Sequence, residues 1–366
     1  MMGRGVWRSL NYGILILVLA LALLGVVNIY SATTAGGGSF PFWQRQLFWV
    51  AVGLFLGLLA FSIDYRYYEV FAYPIYGTFF LALLFVLLKG TFGGGAKRWI
   101  SLGYFHFQPS EVMKLALIFV IARYFQRRAH NGGYRIREIL YPLLLTLLPA
   151  ALLVKQPDLG TAFLMFLIFL SMVMFAGIEK RSLLILFLSF LMAFPGIWVG
   201  LKDYQRKRIL AFLDPYHDPL GSGYHLIQSK IAVGSGELWG KGFLKGTQCK
   251  LQFLPQRHTD FAFAVVGEEW GFVGCTLILA LYLILILWGL HTATKAKDRF
   301  GSFTALGITA MIFWHVVINV GMVLGMLPVV GLPLSFFSYG GSSIITHFIG
   351  IGILLNIRAR RYLFTP

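Results

Sequence analysis

Leu10-Asn11-Tyr12-Gly13-Ile14-Leu15-Ile16-Leu17-Val18-Leu19-Ala20-Leu21-Ala22-Leu23-Leu24-Gly25-Val26-Val27-Asn28-Ile29 carries no charged side chain. As a helix rising about 1.5 Å per residue, a stretch of this length matches the roughly 30 Å hydrocarbon core of a bilayer. A signal-peptide core is shorter, about 7–15 residues, so the run is expected to remain as a first membrane helix. Nine further apolar runs of similar length follow, over approximately 44–63, 70–89, 109–126, 138–154, 159–177, 182–200, 262–290, 302–327 and 337–357. The pattern predicts an all-α polytopic membrane protein. It has about ten transmembrane helices and a long extracytoplasmic loop, 201–261, between helices 7 and 8. Residues 1–366 form one integral membrane domain, with no repeat and no linker.

Composition points the same way. Of 366 residues, 58% are hydrophobic and 12% charged, against about 25% charged in soluble domains. The net charge of +17 would suggest nucleic acid on a soluble chain. Here it is assigned to loops meeting anionic headgroups, and no nucleic-acid partner is expected. Cys249 falls in the long loop and Cys275 inside an apolar run, so neither a disulfide nor a metal cluster is expected.

The basic residues set the orientation. With a cytoplasmic N-terminus, the inner segments hold sixteen Lys and Arg, from Arg4 and Arg8 through the 123–137 loop to Arg358, Arg360 and Arg361. The short outer segments hold five: Arg45, Lys89, Lys97, Arg98 and Lys155. The nine in the long loop weigh little, because long loops translocate largely regardless of charge. Both termini are therefore expected in the cytoplasm. On that topology the unusual polar segments lie mostly outside, away from cytoplasmic nucleotides. A substrate there must carry its own activation, as a lipid-linked pyrophosphate does.

Several segments could carry chemistry, each with a bland alternative. Phe92–Gly103 is glycine-rich and holds Lys97, Arg98 and Trp99. Such backbone and cations suit a phosphate, and Trp99 suits a sugar or the membrane interface. Gln108-Pro109-Ser110-Glu111 opens the fourth helix, where Glu111 and Lys114 share a face at i, i+3. Buried charges of this kind line a cavity or lock helices together. Asp158, after Gln156-Pro157, could cap the sixth helix, extend the same polar cavity, or do both. Residues 204–215 combine cations with apolar residues, as a helix on the membrane surface does. Asp218–Tyr224 is turn-rich, and Gly234–Gly242 pairs small residues with Lys241. His258-Thr259-Asp260-Phe261 runs into the eighth helix and its Glu268 and Glu269. Desolvation there would raise the Asp260 pKa and suit it as a base; equally, Thr259 or Asp260 could be that helix's N-cap. The residues alone do not choose. Pro328–Pro333 and the small-residue run Ser338–Ser343, including Ser342 and Ser343, precede the last helix and allow irregular backbone around a cavity. His315, Asn319 and His347 are expected to hydrogen-bond between helices.

Gly95-Ala96-Lys97-Arg98-Trp99, Gln108-Pro109-Ser110-Glu111, Lys155-Gln156-Pro157-Asp158-Leu159-Gly160, His258-Thr259-Asp260-Phe261, Pro328–Pro333 and Ser338–Ser343 together resemble the SEDS family (shape, elongation, division, sporulation). The blocks run in order through almost the whole chain, and Val329-Val330 after Pro328 resembles its RodA type. Ser335 stands where RodA-type sequences commonly have proline. The resemblance implies a peptidoglycan glycosyltransferase that polymerises lipid II into glycan strands at the outer face of the bacterial cytoplasmic membrane, for elongation and rod shape. It implies a class B penicillin-binding protein and other elongation-complex membrane proteins as partners. Asp260 would be the essential catalytic carboxylate. Glu111, Lys114 and Asp158 would line the cavity and Trp99 would be functional, and Lys97, Arg98, Ser342 and Ser343 are placed with them. An α-linked donor and β-linked product require a single inverting displacement. Cations, with or without magnesium or manganese, would steady the departing pyrophosphate. The rival reading is a flippase or transporter for the lipid-linked precursor, which also uses charged and broken helices; a scaffold protein is a third.

Overall fold

The computed structural model describes residues 10–34, 42–93, 96–102, 105–128, 133–217, 221, 223–254 and 256–361. Ten helices of 18 residues or more occupy the ten apolar runs: α1 (Tyr12–Thr34), α2 (Phe42–Ser62), α4 (Ala72–Lys89), α5 (Pro109–Arg127), α6 (Ile136–Lys155), α7 (Leu159–Ala176), α8 (Lys180–Gly200), α12 (Ala262–Lys295), α13 (Arg299–Val323) and α14 (Gly341–Arg360). Among the described residues, eight of these are both long and apolar enough to cross a membrane. The other two, α5 and α8, have 19 and 21 residues, which is also a spanning length. The protein is therefore a multi-pass membrane protein. Shorter helices are α3 (Tyr65–Val70), α9 (Asp203–Leu213), α10 (Tyr224–Gly234) and α11 (Thr247–Lys250). The segment 204–215 is helical as α9 up to Leu213.

Burial divides the bundle. α5, α13 and α14 bury most of their side chains, whereas α4 buries few and α8 leaves most of its described ones exposed, as expected for inner and lipid-facing helices. α14 lies along α2 at close range because small residues face each other. A Cβ on Gly352 would collide with the Gly57 carbonyl, and one on Gly53 would come within 2.8 Å of the Phe348 ring. Small residues let helix backbones approach where apolar side chains give no advantage over lipid. Cys249 and Cys275 are both free.

The structure departs from the expected boundaries in three places. The segment 91–107, expected as a loop, forms strands β1 (Thr91–Gly93), β2 (Ala96–Leu102) and β3 (Phe105–Phe107), antiparallel in the order β1-β2-β3. Gly94, Gly95 and Gly103 of that segment lie outside the described residues, as do Asp218, Pro219, Leu220 and Ser222. The eighth long helix, α12, breaks at Gly271 (φ 64°, ψ −158°). The last helix starts at Gly341, not 337, because Leu334–Ser338 is a turn with Phe336 at φ 64°.

Candidate active site

At one end of the bundle four segments converge. The first is the turn before α12. Thr259 N and Phe261 N both donate to the Gln256 carbonyl, at 3.0 and 3.3 Å. This turn makes Phe261 the N-cap residue of α12, with no side-chain cap bond. The capping alternative is thereby removed for Thr259 and Asp260 alike, and the Asp260 carboxylate owes nothing to helix termination. It is partly buried. Burial pushes its pKa up to about 6; Asp158 adds to the rise, while Arg208 and Arg98 pull it down. His258 lies two residues before it and His225 stacks on the Phe261 ring; their pKa values are lowered first by burial and then by Arg257 and Arg208 respectively.

The second segment is the start of α7. Asp158 caps this helix by accepting from Thr161 N at 3.4 Å, and its Oδ2 is buried with no hydrogen-bond partner among the described residues. The third is β2, whose Arg98 donates to the carbonyls of Gln156 (3.2 Å) and Pro157 and lies 3.9 Å from Asp158 Oδ1. Two carbonyls and a carboxylate hold this guanidinium in place while it remains 26% exposed. Trp99, also on β2, is partly exposed and sits opposite Thr91, and Lys97 is opposite Phe92.

The fourth segment is the loop Pro328–Gly340 between α13 and α14. A Cβ on Gly331, which has φ +73°, would lie 3.3 Å from Asp260 Oδ2, and one on Gly160 would lie 2.8 Å from the Val330 carbonyl. A side chain at Gly160 would clash with the proline loop, and one at Gly331 would be tight against the carboxylate and strained by the positive φ. Tyr339 N donates to the His258 carbonyl at 2.8 Å, and Phe42 stacks on the His258 ring at 4.6 Å.

Among the described residues, Glu111 and Lys114 make no direct bond to this cluster. They form a second, buried network inside the bundle. Lys114 Nζ lies 2.9 Å from Glu111 Oε2 and 2.9 Å from His315 Nε2. His315 Nδ1 is 3.0 Å from the Pro333 carbonyl; as that carbonyl only accepts, Nδ1 carries the proton and Nε2 accepts from Lys114. His347 packs edge-on against His315 at 4.8 Å and pairs with Ser335 (2.9 Å) and Ser343 (3.3 Å). Ser342 accepts from Gln108 N and donates to the His106 carbonyl, joining the start of α14 to β3. The proline loop is what the two clusters share: the open face of Gly331 points at Asp260 Oδ2, and Pro333 and Ser335 are bonded to the inner histidines.

The glycines of 234–242 allow a close fit against α12. Cβ atoms on Gly236 and Gly240 would collide with the carbonyls of Gly267 and Glu269. Lys241 is paired with Glu268 at 2.8 Å, and the same carboxylate oxygen accepts from Thr247 N and Gln248 N. This loop is clamped to the break in α12.

Comparison with known proteins agrees with this architecture. Residues 12–363 match the FTSW_RODA_SPOVE family, described as cell cycle protein. The chain is 41% identical over 359 residues to the peptidoglycan glycosyltransferase MrdB of Escherichia coli K12, covering 97% of this chain and 95% of that one. A structure titled "Structural coordination of polymerization and crosslinking by a peptidoglycan synthase complex" superposes with a TM-score of 0.83 at 34% identity, over 96% of this chain and 98% of that one. The Thermus thermophilus rod shape determining protein RodA gives a TM-score of 0.73 at 31% identity, over 97% and 99%. With the family's pattern matched from the first membrane helix to beyond the last, and the same fold in solved relatives, the chain belongs to the FtsW/RodA/SpoVE family.

Proposed function

We propose that this protein is a peptidoglycan glycosyltransferase that polymerises lipid II at the outer face of the bacterial cytoplasmic membrane, with Asp260 as general base. The observation that carries the reading is Asp260 itself: a carboxylate with no capping role, raised to about 6, in a cluster with two guanidinium groups. A base with a pKa near the working pH combines the deprotonated form with useful proton affinity. Asp260 accepts the proton of the acceptor's sugar hydroxyl as that oxygen bonds to the donor's anomeric carbon. The bond from that carbon to undecaprenyl pyrophosphate breaks, with inversion. Arg98, braced by the 156–157 carbonyls, and Arg208 face the negative charge that develops on the leaving group. If magnesium or manganese accompanies the pyrophosphate, it neutralises that charge. Such ions are typically held by one or two carboxylates together with substrate phosphates, and the unpartnered Asp158 Oδ2 is the oxygen suited to the role. Glu111, Lys114, Trp99, Lys97, Ser342 and Ser343 belong to this reading as cavity and support residues. The partner is a class B penicillin-binding protein that cross-links the product. A solved relative belongs to a peptidoglycan synthase complex that coordinates polymerization and crosslinking, which supports this pairing. Lipid II polymerisation by the purified, monodisperse protein tests the function. Transport of the precursor without any glycan product would favour the flippase.

This reading requires cytoplasmic termini and an outer Asp260. With Cys249 and Cys275 replaced, a single cysteine at Asn131 is expected to resist an impermeant maleimide in intact cells, and one at Trp239, which is 78% exposed, to react. Asn131 lies outside the described residues, between α5 and α6. Labelling at 131 with protection at 239 would invert the topology and remove the site from its lipid-linked substrate.

A further inference from the structure

We infer that Asn319 is a positioning residue for the reacting carboxylate, its amide joining the Asp260 backbone to the proline loop and so holding Asp260 against Gly331. The inference rests on Asp260 being the base.

Asn319 is fully buried on α13. Its Nδ2 donates to the Asp260 carbonyl at 2.9 Å and to the Leu332 carbonyl at 2.7 Å. Two carbonyl oxygens can only be met by the NH2 side of the amide, so the orientation is not ambiguous. Both hydrogens are committed. The Oδ1 atom is buried and takes no partner among the described residues. A leucine of similar shape would avoid that cost. Asparagine at this position is therefore explained by its two donor bonds.

Those bonds are not needed to anchor the proline loop as such. The loop is tied elsewhere by His315 to the Pro333 carbonyl, Tyr282 to the Ser335 carbonyl, His347 to Ser335 and Gln46 to the Ser338 carbonyl. What Asn319 adds is a direct bond from α13 to the residue that carries the reacting group. The Asp260 turn is then pinned on both sides: His258 to Tyr339 N, and Asp260 to Asn319. Leu332, the second partner of Asn319, adjoins Gly331, whose open face meets Asp260 Oδ2. One amide sets the spacing between the carboxylate and the backbone that shields it. Misplacement of a reacting group by about 1 Å can cost on the order of 100-fold in rate.

The test is kinetic, on purified full-length Asn319→Leu with lipid II and its penicillin-binding partner. Asn and Leu are both neutral, and the charged groups acting on Asp260 are unchanged: Arg98 from β2, Arg208 from α9 and Asp158 before α7; the nearby titratable rings, His258 and His225 on Phe261, are unchanged as well. The expected result is a kcat lower by about 10–100-fold with KM for lipid II within about twofold. The acid limb of the pH profile should move below its wild-type position, because a released carboxylate regains water. A merely structural role leaves that limb where it was. If Asn319→Leu is not monodisperse, Asn319→Ser, smaller and still able to donate one bond, takes its place with a kcat loss of about tenfold and the same direction of shift. Wild-type kcat in a folded variant, or a loss confined to KM with an unmoved acid limb, overturns the proposal. Failure of the underlying reading shows separately, as near-normal polymerisation by Asp260→Asn.

Discussion

Asp260→Asn is expected to lower glycan polymerisation by about 10²–10⁴-fold, the usual contribution of a general base, while the protein folds and reaches the membrane. The substitution keeps shape and polarity but removes proton acceptance. The structural cost should be small, because α12 is capped by Phe261 without any side-chain bond and the only Asp260 atom tied by Asn319 is its backbone carbonyl, which Asn retains. The assay is polymerisation of lipid II by monodisperse protein, with thermal stability measured on the same preparation. The pH profile sharpens it. A base must be deprotonated to act, so wild-type activity should rise with pH through about 6, the value to which burial lifts Asp260. Asp260→Asn should lose that rise along with the rate. Near-normal synthesis by a folded Asp260→Asn would eliminate Asp260 as the base and turn attention to Asp158, whose carboxylate also acts on this cluster.

Much of this could be read in the sequence because it is local or compositional. The ten spans show as predominantly apolar runs of bilayer length, and the Asp158 cap shows because Pro157, Asp158 and Thr161 act within one turn. The choice between cap and base at Asp260 was not local in the same sense. Thr259 and Asp260 both stand where an N-cap could be, and only the turn closed on Gln256 moves the cap to Phe261. The β1–β3 sheet escaped because its strands are of three, seven and three residues among glycines that read as loop. The kink at Gly271 is one glycine in an apolar run, and its fit against the 236–240 loop depends on contacts about thirty residues away in the chain. Partners such as Lys114 and His315, or Asn319 and Asp260, are separated by 201 and 59 residues. Polar residues inside spans signal that partners exist without naming them.

Glu111 and Lys114 provide the strongest expected effect on folding. Both are buried, at 3% and 0% exposure, and their charged atoms are 2.9 Å apart. Removing one partner of such a pair strands the other, at roughly 3–5 kcal/mol. Glu111→Ala should therefore sharply lower the thermal stability of the purified protein, since among the described residues Lys114 would keep His315 alone as a neutral acceptor. The exchanged variant Glu111→Lys/Lys114→Glu restores a pair across the same i, i+3 face. It places the new carboxylate where His315 Nε2 can meet it after a change of ring protonation. It should be more stable than either single substitution, measured by the midpoint for loss of monodispersity on heating. If it is no more stable than the worse single variant, the pair is not what holds these charges in the bundle. Activity then separates the two roles of the pair. Through His315 and Pro333 the network reaches the loop that meets Asp260, so a pair that only braces that loop should polymerise lipid II once stability returns. A pair that also faces substrate should leave the exchanged variant folded and inactive, because the sign of charge presented to the pyrophosphate is then reversed at each position.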